Sequence, residues 1–592
     1  MTRNGSISAL GGNQFLEAML VLISAELADA ICGIVDGVFV ARFLGEEGMA
    51  AHGIASPIFE VLCIFSYMIT AGFQQPCTVY IGRGKTEHAN GLFTAAMLLT
   101  MEFAILCAVP GLFFTSQIAH IMGAPSGGII NTMAVDYLKA VFIGTPFLLL
   151  FLSLIPVLQL DGQRNLVHLG CLVMGVSDVV IDLLNVKVFH AGMWGFGMAT
   201  SVSYLLGTLV LLTYFMRKDR LFRLHLRAMR SSRPGAIFTS GLPSGIRVGA
   251  RSIAIIALNS LVMGTAGVTA MAAFAVQQNL SSLLLSAGVG ISGATLLFSG
   301  ISYGEQDRRG LIDVIQLSGQ ACVVVIGFLS AIVFALARPL VGLYLSPDDA
   351  SFTLAIHAVR YLALSMPLVA IARCMGSYEQ GVEQNRKSIW AFLMGELLAL
   401  VPCALLMGWL WGVEGIFASF AVSQFLVILL KGLYAIRHRD RRFKGLESVL
   451  DVPSDFGVPP EDRLYRTVVH PEEVWELAAQ AQTFCQERGI APDKAYAVSM
   501  YIEEMGNIVM IYGFADGKSH HLEIRLSLYQ GTVILRFRDD CKRFDITERA
   551  SHWKEDIEHP ETTLGVRMIM NSSGYLRYDN SLRTNNLLVH IQ

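Results

Sequence analysis

Charge is scarce in this chain. Only 15% of its 592 residues are Asp, Glu, Lys or Arg, 53% are hydrophobic, and the mean hydropathy is +0.53. An ordinary soluble domain carries about a quarter charged residues, so that class is excluded. The formal net charge of −3 says little, because the charge is unevenly distributed. Paired cysteines are also missing. The ten cysteines occur singly, with no CxxC pair and no His/Cys cluster along the sequence, and eight (Cys32, Cys63, Cys77, Cys107, Cys171, Cys322, Cys374, Cys403) lie in apolar segments, where cysteine behaves as a small hydrophobe. Neither a disulfide framework nor a zinc site is expected. No GxxxxGK[ST] occurs, so a P-loop pump is not supported and transport would draw on another gradient. The first apolar segment is interrupted by Glu26 and Asp29, unlike the uncharged core of a cleaved signal peptide, and reads as an uncleaved spanning helix.

What the chain does have is long apolar runs. Twelve segments reach membrane length, at about 15–43, 52–80, 92–114, 134–160, 166–189, 193–216, 236–264, 270–300, 311–337, 354–377, 388–410 and 413–436. Within 31–55 a single carboxylate, Asp36, sits in such a run, which then breaks at Gly45 and restarts at Met49. An ionisable residue near the centre of a spanning helix costs roughly 2.5–3.5 kcal/mol, so such residues usually face a polar cavity or a partner. Basic residues gather after even-numbered segments: Arg83 and Lys85, Arg217 to Arg233, Arg308 and Arg309, Arg386 and Lys387, and Arg437 to Lys444. The positive-inside rule places both termini in the cytoplasm of a multi-pass protein of the plasma (inner) membrane. The basic stretch 217–233 reads as an anchor to anionic membrane lipid, not as a nucleic-acid site.

The twelve segments divide in two. GEEGMAAHGI (45–54) aligns with GVTAMAAFAV (267–276), IGRGKTEHANGL (81–92) with ISYGEQDRRGLI (301–312), GTPFLL (144–149) with SMPLVA (365–370), and MWGFGMAT (193–200) with VEGIFASF (413–420). Six segments per half give a parallel repeat about a central cavity. The expected organisation is a first six-helix lobe over 10–220, a second over 235–440, a polar, proline-bearing linker over 445–467 and a soluble domain over 468–592. The fold class is thus an α-helical polytopic membrane protein of twelve transmembrane helices in two parallel repeats, with a C-terminal α/β two-layer sandwich. In the soluble part, 471–488, 492–514 and 564–573 read as helices, and 521–529, 531–538, 575–579 and 586–592 as strands.

Segment 5 contains SDVVIDLLNV, in which Asp178 and Asp182 are four residues apart and share a helix face. With Asp36 they form a candidate H⁺ or Na⁺ site. Segments 1–12 resemble the multidrug and toxic compound extrusion (MATE) family through IVDGVFVARFLG (34–45), MAAHGIASPI (49–58), DVVID (178–182) and GLPSGI (241–246). The resemblance implies a two-lobed antiporter that exports small organic, often cationic, compounds against H⁺ or Na⁺, with no further cofactor. It puts Asp36 and Asp182 at acidic coupling positions, while Asp178 stands where asparagine is usual. Segment 7 departs from relatives that carry glutamate: GIRVGARSIAII places Arg247 and Arg251 one turn apart. With Arg373 they are candidate cavity residues, to be paired internally or to meet an anionic substrate. A lipid-linked sugar flippase is the alternative they favour.

The soluble domain resembles the GHKL-type ATPase domain of anti-sigma-factor serine kinases, through Glu503-x-x-x-Asn507, then Asp539-Asp540-Cys541, then Thr563-Leu564-Gly565. That resemblance implies ATP and Mg²⁺, with Asn507 holding the metal and phosphate, Glu503 as base, Asp539 on the adenine amine and Gly565 in the glycine box. Cys541 and Thr563 replace glycines of those boxes, and the lost backbone freedom makes hydrolysis less expected than binding. A regulatory domain with a protein partner, or a membrane sensor with a serine-kinase output, are the two readings of this fusion.

Overall fold

The computed structural model describes residues 9–83, 85–122, 128–217, 220–229, 234–441, 445–453, 456–514, 520–529, 531–542, 575–581 and 584–591. Among them, ten helices are long and apolar enough to cross a membrane. The main elements are α1 (Ala9–Gly82), α2 (Thr86–Phe113), α3 (Ile129–Leu160), α4 (Arg164–Leu184), α5 (Gly192–Leu212), α6 (Ala236–Gly304), α7 (Arg308–Ala321), α8 (Phe352–Gly381), α9 (Asn385–Leu393) and α10 (Leu400–Arg437). Many large apolar side chains on them are exposed, including Leu106, Ile256, Phe328 and Leu406, as lipid-facing surfaces require.

Three helical runs are too long for one crossing. A straight α1 of 74 residues would extend about 110 Å, against a hydrocarbon core of about 30 Å. The helix bends between Leu44 and Gly48, around the break expected at Gly45: a β-carbon on Gly48 would lie 2.4 Å from that of Leu44, whereas residues four apart on a straight helix keep about 5–6 Å. Residues 52–80 form the second arm of α1. The helix α6 breaks at Gly267, whose φ of +65° only glycine adopts without strain. The run 385–437 holds both 388–410 and 413–436, separated at Gly412 with φ +63°. The arms of α1 and α6 meet backbone to backbone: a β-carbon on Gly72 would lie 1.9 Å from Ile237 O, and one on Gly241 1.8 Å from Met68 O.

The C-terminal part has its own core. Strands β1 (Arg463–Val468), β2 (Leu522–Tyr529), β3 (Thr532–Asp539), β4 (Tyr575–Ser581) and β5 (Thr584–Ile591) form an antiparallel sheet in the order β1-β2-β3-β5-β4. Helices α11 (Pro471–Glu487) and α12 (Pro492–Ile508) share its core. Val474, Leu477, Ala478 and Ala481, and Val498, Ile502 and Met505, recur at helical spacing and meet Ile524, Leu526, Leu535 and Phe537. Residues 463–467, expected in the linker, belong to β1. The polar look of Arg463 and Arg466 disguised a strand that pairs with β2 from Arg463–Ser527 to Val468–Leu522. Two other described linker residues are packed as well: the ring of Phe456 stacks on Tyr303 at 4.9 Å, and Tyr378 donates a 2.8 Å hydrogen bond to Leu450 O. The helix expected at 564–573 lies outside the described residues.

The sheet's second face explains how the domain sits on the membrane part. Alternation puts Arg525 of β2 directly opposite Arg536 of β3, a like-charge pair that by itself destabilises a sheet. Two carboxylates from the turn between α6 and α7 relieve it. Glu305 pairs with Arg536, Arg538 and, at 3.6 Å, Arg525; Asp307 pairs with Arg525 and, at 2.7 Å, Arg463. The other half is also reached, because Arg536 donates to Gly82 O at 3.4 Å and Arg577 donates to Thr86 Oγ1. Burial opposes the charge on Glu305, yet Arg536, Arg538 and Arg525 hold its carboxyl below the usual range. Burial likewise opposes the charge on Asp307, and Arg525 and Arg463 with the N–H of Gly310 hold it low.

Both carboxyls are depressed when docked, so their stabilisation is complete above an ordinary glutamate value of about 4.5 and is lost as pH falls through the lowered values. Docking, followed by cleavage after Glu447 and Glu461 with a glutamate-specific protease active at both acid and neutral pH, should weaken below about pH 4. Glu305→Ala should weaken it at pH 7 by roughly 3–5 kcal/mol, since Arg536 and Arg538 lose their carboxylate while Arg525 keeps Asp307.

Candidate functional site

The carboxylates singled out in the sequence converge. Asp36 projects from the first arm of α1, and Asp178 and Asp182 from one face of α4; they are 9%, 1% and 1% exposed. Asp36 lies within hydrogen-bonding reach of both other carboxyls. Helix α5 supplies donors: Ser203 Oγ donates to Asp178 Oδ1 at 3.0 Å, and Thr200 Oγ1 to Asp36 Oδ2 at 3.5 Å. Asp36 Oδ1 and both Asp182 oxygens are buried without a protein donor. Asp36 and Asp178 face a cavity of about 230 Å³, whose described lining contains no lysine or arginine. Like charges about 4 Å apart repel by on the order of 4 kcal/mol at an effective dielectric of 20, so a shared proton or metal cation is the natural way to relieve this cluster.

Two further residues shape it. His52, on the second arm of α1, lines the same cavity, with its ring edge-on to Tyr137 at 5.2 Å and its buried Nδ1 without a partner. The sequence reading quoted MAAHGIASPI without singling out this histidine. A titratable ring in an apolar run was the available signal. Asn185, in the SDVVIDLLNV stretch, has a structural place: its Oδ1 accepts from Ala191 N at 3.0 Å and its Nδ2 donates to Gly192 O at 3.1 Å, closing the turn into α5.

The second half handles charge differently. Glu396, in the wide turn Met394–Leu398, binds Arg373 at 2.8 Å and Arg251 at 3.6 Å. Arg247 points instead to a cavity of about 110 Å³ between the halves, lined also by Glu26, Tyr67, Gln74 and Ser244. Its guanidinium lies 5.7 Å from the ring centre of Tyr67 and 5.8 Å from that of Phe392. Tyr67 in turn donates to Glu26 Oε2 at 3.3 Å. The three arginines therefore do not line one cavity together.

In the C-terminal domain, Glu503 is exposed and Asn507 half-buried, one turn apart on α12. Asp539 ends β3, 5% exposed, and its Oδ1 accepts from Asn585 Nδ2 at 2.7 Å and Cys541 N at 3.1 Å. Burial pushes its carboxyl up to about 6, against those two hydrogen bonds. Thr563 and Gly565 lie outside the described residues.

The MatE family model matches residues 22–184 and 243–405. The chain belongs to the MatE family. Its membrane part is accordingly a transporter, not an enzyme. The second match begins and ends 221 residues after the first, and the first contains all three carboxylates. The multidrug export protein MepA of Staphylococcus saprophyticus is 24% identical over 428 residues, 71% of this chain and 92% of its own length. A Staphylococcus aureus MepA is 23% identical over 433 residues, covering 71% and 93%. The fold matches an outward-facing multidrug resistance MATE family transporter of the MOP superfamily (TM-score 0.68, 20% identity, covering 72% of this chain and 95% of the other). It also matches a Pyrococcus furiosus transporter of that superfamily described as having a binding pocket of reversed polarity (TM-score 0.68, 19% identity, 75% and 97%).

Removing Glu396 should expose how this MatE protein depends on internal pairing. Glu396→Ala leaves the buried Arg373 without its carboxylate and should cost the membrane part roughly 3–5 kcal/mol, read as a lower midpoint of thermal unfolding in detergent.

Proposed function

We infer that this protein is a secondary active antiporter that exports small organic compounds of the drug or xenobiotic type in exchange for H⁺ or Na⁺, from a plasma membrane with both termini in the cytoplasm. The observation that carries the reading is the carboxylate cluster Asp36, Asp178 and Asp182, sunk beside a cavity with no lysine or arginine in its described lining. The likeness to multidrug export proteins supports the substrate class. Cation binding to the cluster biases the two access states through its different affinity for each, and substrate in the cavity between the halves biases them the other way. The two evenly offset family matches support twelve helices in two parallel six-helix repeats.

The C-terminal domain is read as regulatory. It contacts the helix ends next to Arg83, Lys85 and Arg308, through Gly82, Thr86, Glu305 and Asp307, the ends expected to be cytoplasmic, and so can sense their relative position. Glu503, Asn507, Asp539 and Gly565 are the set through which it would bind ATP and Mg²⁺. The flippase reading is weaker, because Glu396 already occupies Arg251 and Arg373 and only Arg247 faces the central cavity. The sensor reading, with a regulatory protein partner, would require ATP-dependent phosphorylation lost in Glu503→Ala.

Proteoliposomes test the antiporter. Under an imposed H⁺ or Na⁺ gradient, the full chain should accumulate a cationic drug such as ethidium. Asp36→Asn and Asp182→Asn should each lower gradient-driven uptake at least tenfold while leaving gradient-free counterflow measurable. Undiminished gradient-driven uptake in both variants would remove the coupling assignment.

A further inference from the structure

One cluster of metal-ligating side chains is used by none of the roles above. It lies where β2 begins and β3 ends. In the β2–β3 ladder Leu522 opposes Asp539, so one and two steps further out the register brings His521 against Asp540 and His520 against Cys541. The side chains meet accordingly. His520 Nδ1 is 3.2 Å from Asp540 Oδ1, and His521 Nδ1 is 3.8 Å from Asp540 Oδ2. The ligand atoms of His520, Asp540 and Cys541 all lie within 4.8 Å of one another.

The surroundings fix these atoms. His520 and Cys541 are 8% and 5% exposed, so a sulfur and an imidazole nitrogen are held at the floor of the cluster. Gly513 backs the sulfur so closely that a β-carbon there would lie 2.8 Å from Sγ. The ring of Phe514 packs on His520 at 5.5 Å. The backbone N–H of His521 donates to Asp540 Oδ1 at 3.0 Å, which orients that carboxylate. The side chains of Asp540 and His521 are each 31% exposed, which leaves an approach from solvent.

The donor set decides the ion. A thiolate, imidazoles and one carboxylate suit zinc, whereas Mg²⁺ and Ca²⁺ require oxygen ligands throughout. With bonds of about 2.0–2.3 Å, a tetrahedral zinc ion spaces its ligand atoms by roughly 3.3–3.8 Å; the 3.2 Å between His520 and Asp540 is close to that, and the wider separations, up to 4.8 Å within the group and larger for His521, close by side-chain rotation onto the ion. We propose that His520, Asp540 and Cys541, with His521 as fourth ligand, bind one Zn²⁺ ion that clips the open end of the β2–β3 pair. No zinc site was expected from the sequence, because the ligands stand in two pairs with eighteen residues between them and only the strand register joins them. This inference does not depend on the nucleotide reading of the same domain.

The test uses the purified full chain in detergent with a non-thiol reductant. After stripping with a chelator, it should take up one Zn²⁺ per chain. Co²⁺ in its place should give the near-ultraviolet absorption of a thiolate–cobalt bond. Cys541→Ser should abolish that absorption, and His520→Ala and Asp540→Asn should each weaken zinc binding at least a hundredfold. His521→Ala should weaken it at least tenfold. Zinc should also raise the unfolding temperature of the C-terminal domain in the parent chain and not in Cys541→Ser. Far-ultraviolet circular dichroism without metal identifies any variant that fails to fold, and Asp540→Asn, the most conservative change, then decides. Uptake below one-tenth of an equivalent by the parent chain would overturn the site, as would a cobalt absorption that survives in Cys541→Ser or zinc affinity unchanged in Asp540→Asn.

Discussion

Glu396 lies between two guanidiniums inside an apolar bundle, 2.8 Å from Arg373 and 3.6 Å from Arg251, and the constraint it satisfies runs through the whole molecule. A charge removed from water must meet an opposite charge, coordinate an ion or give up its proton. The second half meets this rule from within. The junction with the C-terminal domain meets it by lending Glu305 and Asp307 to a sheet face that would otherwise set Arg525 against Arg536. At Asp36, Asp178 and Asp182 the first half answers it with hydroxyl donors and, in the described cavity lining, with no cationic side chain. Three carboxyls share one site there, and its described cavity lining offers hydroxyls and a histidine but no lysine or arginine. The part of the structure left uncompensated is the part suited to take up a cation from outside.

This division matches the mechanics. The halves touch where the glycines of α1 and α6 let the two backbones approach at Gly72 and Gly241. The C-terminal sheet spans the same junction at its far end, holding Gly82 of one half and Glu305 of the other. A change in the angle between the halves must therefore either carry the sheet with it or break contacts to one side. That connection is the basis of the regulatory reading proposed for the C-terminal domain, in which it would influence which way the cavity opens without touching substrate or ion.

Much of this was legible in the sequence, for physical reasons. Carboxylates are so costly in apolar helices that Asp36, Asp178 and Asp182 stood out, and the helical spacing of the last two set them on one face. The glycine at the second-half break, Gly267, was visible as the repeat partner of Gly45. In the first half the chain bends between Leu44 and Gly48, around Gly45, without losing its helical pattern. What the sequence hid were pairings between distant segments. Glu396 lies in the apolar segment 388–410, and nothing local marks it as the residue that joins Arg251 to Arg373. Strand β1 read as linker because its arginines look solvated until Asp307, from a turn some 150 residues earlier, is placed against Arg463. His520 and Cys541 meet only through strand register.

The central claim is that the first-half carboxylates exchange a cation for substrate. It is tested most directly by measuring ion release when a cationic substrate binds to the purified protein in weakly buffered detergent. A pH-sensitive dye reports protons, and a sodium-selective electrode reports Na⁺. The account predicts that substrate displaces one of these cations from the parent chain and that Asp182→Asn, which removes one carboxylate but keeps its volume, cuts the release at least fivefold. Equal release from the parent chain and from Asp182→Asn would contradict it.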